Sequence, residues 1–216
     1  MTTLTLPEEF VLLLQKDNGS YHSMSDYAGA AELGELVLQQ RIEFVQKKIQ
    51  VLDASPSGVG WLDDCMAYLV KKAGPANKPV AAQSFIQRRK SARKVHCAAL
   101  AERGLMRHEE KSALFIPYAK YFPDPGTRQA LIAELRAVAR DEIALDNRRA
   151  LLAAMVHATN LVRTLGLERA ERKRLKEISK GEQLGKAVEA AVAAATAAIS
   201  AGAIAATTSA AVGSGS

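Results

Sequence analysis

Between Ile143 and Leu165 the chain is apolar on nearly every side of a helical wheel. Leu151, Leu152, Met155, Val156, Leu161 and Val162 cannot share one 100° stripe. Such a helix belongs inside a bundle, where neighbours cover it all round. This predicts a mainly α fold: a central helical bundle surrounded by amphipathic helices, with one or two β-hairpins. Composition agrees, because 48% of residues are hydrophobic and only 5% aromatic, leaving a core of Leu, Val, Ile and Ala that suits helices. With 216 residues the chain can bury a substantial core in one domain. We expect that domain over residues 1–200 and a disordered Ala/Gly/Ser-rich tail over 201–216.

The remaining elements follow from caps and punctuation. Thr5–Leu14 reads as a first helix with Thr5 as N-cap and Pro7 and Glu8 in its first turn. Asp17–Ser20 is a turn, and a second helix runs from Asp26 to Gln40. Ile42–Val51 reads as a small hairpin with a basic tip at Lys47-Lys48. Trp61–Lys72 is a third helix, stopped by Ala73-Gly74-Pro75. A long basic helix spans Gln83–Arg103, with Phe85, Ala92, Val95 and Ala99 as its core stripe. Beyond Gly104, Leu105-Met106 and Leu114–Ile116 flank a charged hairpin tip at Glu109–Lys111. Tyr118–Gly126 is a turn-rich loop, Thr127–Asp141 is amphipathic, and Glu168–Lys180 is short and charged. Leu184–Ser200 is expected to be helical; Thr196, Ser200 and Gly202 make the uncharged run Ala190–Ala206 too polar for a good membrane span.

Charge is where function becomes visible. No Asp or Glu occurs from residue 65 to 101, a window holding eight basic residues, whereas the whole chain carries only +6. The rest therefore sums to −2, and the basicity is a local patch that implies an anionic partner at one place. Lys90 lies at i, i+3 from Arg93 and i, i+4 from Lys94; such cations repel unless an anion sits between them. Lys90, Arg93, Arg89 and Lys94 are the candidate anion-binding residues.

Other chemistries are poorly supported. Cys65 and Cys97 fit neither a disulfide framework nor a CxxC site, and a reducing compartment suits them. The four histidines show no ligand spacing, and His157 reads as a core histidine. Adjacent acids Asp63-Asp64 and Asp141-Glu142 diverge by about 100° on a helix, so neither is an acid/base dyad. No phosphate-binding glycine motif occurs. We expect no enzyme, metal or cofactor. The start, Met1–Leu4, shows no signal peptide. The patch lacks the aromatic interleaving of nucleic-acid binders, which disfavours nucleic acid as partner.

Several stretches, in their order and spacing, carry a resemblance: TLPEEFVLLL, ELVLQQRI, VLDASPSG followed by Leu62-Asp63, AERGLM, the Tyr118–Pro125 loop and ALLAAMVHATNL. Together they make the chain resemble the Golgi phosphoprotein 3-like family over about residues 4–200, and the Ala-rich composition suggests a bacterial member. The resemblance implies a peripheral membrane adaptor that is cytoplasmic, reads phosphatidylinositol 4-phosphate and binds protein cargo. It places the headgroup-binding pair on Lys90 and Arg93, with Arg89 and Lys94 adding general electrostatics. It assigns self-association to the hairpin, here Leu114, Phe115 and Ile116. Two family pocket residues are missing: a tryptophan before the second helix, for which Tyr21 or His22 could stand in, and an arginine whose position falls on Gly29. Anionic phospholipid in general is therefore the expected ligand. The competing reading is a soluble nucleic-acid or protein-interaction module using the same patch.

Overall fold

A computed structural model describes residues 3–22, 27–45, 48–113, 115–181, 189–190 and 192–193. Most of the tail expected to be helical and then disordered lies outside these residues, as does Lys47 at the tip of the first hairpin. The described part is mainly helical with two small antiparallel sheets. Among the described residues no helix is long and apolar enough to cross a membrane.

The centre is shared by three helices. α1 (Leu6–Leu14) and α2 (Ala28–Leu38) are enclosed almost all round, and α7 (Asn147–Ala158) buries every residue from Ala150 to Val156. The apolar run expected to be one helix stops at Thr159 and resumes as α8 (Leu161–Thr164), because Asn160 adopts the left-handed conformation at φ 59°. Helices this enclosed must have their polar groups paired. Glu35 of α2 accepts the Leu6 amide at the start of α1 (2.7 Å), and Glu8 accepts the Thr5 amide (2.7 Å). Arg148 of α7 then ties Glu9 (3.1 Å) and Glu35 (3.2 Å) together.

Around this centre pack α3 (Gly60–Ala73), α6 (Pro125–Ala139) and α9 (Arg169–Ile178). β1 (Ile42–Val45) and β2 (Lys48–Val51) form the expected first hairpin, and β3 (Val80–Ala81), from the linker after α3, adds a third strand against β2. The loop before α3 is tied to it: Asp63 accepts from the Ser57 amide and hydroxyl (both 2.7 Å) and from the Gly58 amide (3.1 Å).

The basic helix is not continuous. α4 (Ala82–Arg88) ends, the chain turns through Arg89–Ser91, and α5 (Ala92–Glu102) begins. The turn rotates the second half, so the buried face of α5 is Ala92, His96, Cys97 and Leu100, whereas Val95, assigned to the core stripe, is 39% exposed.

The second hairpin also differs from expectation. β4 (Met106–Ala113) pairs with β5 (Ile116–Pro123), so Glu109, Glu110 and Lys111 lie within a strand and the tip falls at Phe115. β5 takes most of the stretch read as a loop. Its prolines are tolerated because each strand of a two-stranded ribbon has an open edge.

Candidate functional site

The geometry of the basic turn is set by one buried carboxylate. Glu32 of α2 is fully enclosed, and Arg89 grips it at two points, Nε to Oε2 at 2.7 Å and Nη2 to Oε1 at 2.6 Å. His96 Nε2 lies 3.0 Å from Oε1, and the Trp61 ring stands edge-on to His96 at 5.0 Å. Burial works to raise the Glu32 pKa, but the hydrogen bonds from Arg89 and His96 outweigh it and hold the carboxyl below its ordinary value. Burial, then the Glu32 charge, push the nearby Cys65 thiol well up, so it stays protonated and inert.

This arrangement explains the helix break. Gly29, one turn before Glu32, brings α2 so close that a Cβ there would lie 3.0 Å from the Arg89 Cβ. The chain between α4 and α5 is drawn down onto α2 at Arg89, and its neighbours are turned outward. Lys90 and Lys94 are exposed and, among the described residues, make no ion pair.

Arg93 is held from the side. Its guanidinium carbon lies 3.9 Å from the centroid of the Tyr21 ring, and its Nη1 donates to Gln15 Oε1 at 3.3 Å. Gln15, at the end of α1, also donates to the Tyr121 carbonyl in β5 (2.8 Å). α1, α5 and the second hairpin therefore converge on Arg93. A planar guanidinium held against an aromatic face presents its N–H donors in a fixed plane whose geometry suits a phosphate, and a flexible ammonium beside it adds a mobile second charge.

The four predicted cations thus divide. Lys90 and Lys94 face solvent, Arg93 is anchored to Tyr21, and Arg89 is turned inward, its charge matched by Glu32. Of the two stand-ins for the missing tryptophan, Tyr21 reaches the site. His22 instead has its pKa lowered by burial and then by Lys16 and Arg128. At the hairpin tip Phe115 is 100% exposed with φ 66°; Leu114 and the side chain of Ile116 lie outside the described residues. Sequence reasoning missed Gln15 and Glu32. Two acids, Glu32 and Glu35, within the otherwise apolar run Ala28–Val37 were the available signal, since such buried groups need cationic partners.

Fold and site together define a mainly helical protein with two small antiparallel sheets and a basic turn between α4 and α5. The family model described as Golgi phosphoprotein 3 (GPP34) matches residues 6–195, and the chain belongs to that family. No curated protein matches the chain.

Proposed function

We propose that this protein is a peripheral membrane adaptor whose α4–α5 turn binds the phosphate of anionic phospholipid headgroups through Lys90 and Arg93. The observation that carries the reading is their pairing: Lys90 is exposed without an ion pair among the described residues, three positions from an Arg93 fixed against Tyr21. Lys94 adds attraction at longer range, and Arg89 acts as a positioning residue through Glu32. The phosphate monoester of phosphatidylinositol 4-phosphate suits such a clamp, with Tyr21 standing where the family has tryptophan. Position 29, where the family has arginine, is closed by its contact with Arg89.

The hairpin tip supplies an apolar contact. Phe115 can enter the acyl boundary of a membrane or meet the tip of a second copy, and self-association would combine several weak sites into one stronger attachment. Each basic side chain near an anionic surface contributes about 1 kcal/mol, so attachment is reversible and salt-sensitive. A membrane-bound protein of this kind remains able to hold a protein cargo.

Co-sedimentation with vesicles tests the reading. Binding should rise from neutral phosphatidylcholine to vesicles containing phosphatidylglycerol or phosphatidylinositol 4-phosphate, and fall at high salt. Binding that ignores headgroup charge would refute it. Retention of nucleic acid with no vesicle binding would replace it with the soluble-module reading.

A further inference from the structure

A second group of cations meets the same turn from α3. An open cleft of about 750 Å³ lies between α3 and the α4–α5 turn, lined by Asp64, Lys71, Lys72, Arg88, Arg89 and Ser91 among others. None of its cations is Lys90 or Arg93. Lys71, Lys72 and Arg88 are exposed and make no ion pair among the described residues. Arg89 forms a fixed wall, held by Glu32. Ser91 is the N-cap of α5, an eleven-residue helix with no side-chain bond at that cap and no acid in its first turn. The positive end of the α5 dipole therefore adds to the charge of the unpaired side chains.

Size and chemistry narrow the ligand. The cleft is far larger than one inorganic phosphate and falls within the range of small-molecule sites. Its cations come from two sides, Lys71 and Lys72 from α3 and Arg88 from the end of α4, which suits two phosphates rather than one. Among the described residues Asp64 is the one carboxylate in the lining; it repels phosphate but accepts a hydrogen bond from a hydroxyl. We propose that this cleft is a second anion site, taking a molecule in which two phosphates are bridged by a hydroxylated carbon chain. That chemistry occurs in a free polyol bisphosphate and in the headgroup of a diphosphatidylglycerol lipid.

The two sources are separated by titrating the full chain with glycerol 1,3-bisphosphate and by co-sedimentation with diphosphatidylglycerol against phosphatidylglycerol vesicles of equal charge. The cleft variant is Lys71→Gln/Lys72→Gln/Arg88→Gln, which alters only exposed side chains. Arg163→Gln/Arg169→Gln/Lys176→Gln removes the same charge elsewhere. The wild type should bind saturably in at least one arm. The cleft variant should bind glycerol 1,3-bisphosphate at least tenfold more weakly or lose the diphosphatidylglycerol preference, and the charge control should keep both within about threefold. Lys90→Gln/Arg93→Gln should keep the glycerol 1,3-bisphosphate affinity and the ratio of diphosphatidylglycerol to phosphatidylglycerol binding within about threefold, whatever it does to vesicle binding as a whole. Loss in the titration identifies a soluble ligand; loss of the diphosphatidylglycerol preference alone identifies the lipid. Absence of saturable binding in both arms, or a cleft variant that binds like the charge control, overturns the proposal. The soluble titration and the ratio between the two lipids are read independently of whether Lys90 and Arg93 attach the protein to membranes.

Discussion

Arg89 and Glu32 meet through two parallel hydrogen bonds, 2.7 and 2.6 Å, although 57 residues separate them in the chain. The carboxylate is completely buried and the arginine side chain is 13% exposed. Removing one partner leaves the other charge uncompensated, which costs about 3–5 kcal/mol in a buried pair. Glu32→Ala should lower the unfolding free energy by that amount in urea titration. Replacing both partners, as in Glu32→Leu with Arg89→Met, should cost less than the single change.

Phe115 places stability and function in opposition. A bulky residue at φ 66° is strained by roughly 1–2 kcal/mol, and a fully exposed ring recovers none of that through packing. Phe115→Gly should therefore leave the thermal midpoint unchanged or raise it. Burying a phenylalanine is worth about 2 kcal/mol, so the same variant should bind anionic vesicles about 30-fold more weakly.

Glu9 gives the fold a pH dependence of defined sign. Burial pushes its carboxyl up to about 7, against the attraction and hydrogen bond of Arg148 and with Glu134 and Glu35 adding repulsion. Between the ordinary carboxylate value and about 7 the folded chain binds a proton that the unfolded chain has lost. The stability contributed by protonated Glu9 is full below that window and disappears as pH rises through it. The shift corresponds to a change of about 3 kcal/mol across the window. In melts from pH 4 to 8, Glu9→Gln should gain stability relative to wild type as pH increases; a constant difference would contradict the assignment.

Restoring the family arginine should not complete the pocket. A Cβ at position 29 already lies 3.0 Å from that of Arg89 and 3.6 Å from its carbonyl oxygen. Overpacking of this kind costs about 1–3 kcal/mol. Gly29→Arg should lower stability by that amount in chemical denaturation and fail to sharpen headgroup selectivity in vesicle binding.

What the sequence revealed depended on the range of the controlling contacts. α1, α3 and α6 lie within two residues of their expected limits, because caps and breakers are local: Thr5 and Pro7, Gly74-Pro75, and Asp124, which accepts the Thr127 amide at 2.7 Å. The break at Arg89 was hidden because its cause, Glu32, lies far along the chain. β5 was hidden by its prolines, which argue against a strand unless the pairing leaves an edge open. The acid-free window drew attention to Lys90, Arg93, Arg89 and Lys94 as a group. It could not divide them, since charge says nothing about which side chain a buried acid will claim.

The central claim is that Lys90 and Arg93 hold the headgroup phosphate, and the most direct test compares wild type with Lys90→Ala/Arg93→Ala on vesicles containing phosphatidylinositol 4-phosphate. Two cations at about 1 kcal/mol each correspond to an affinity loss of about 30-fold, with salt dependence reduced as well. Arg93 is anchored to Tyr21 and Gln15, so a thermal melt of the double variant itself verifies that lost binding is not lost folding. Unchanged affinity in the folded double variant would contradict the account and move the membrane contact away from the α4–α5 turn.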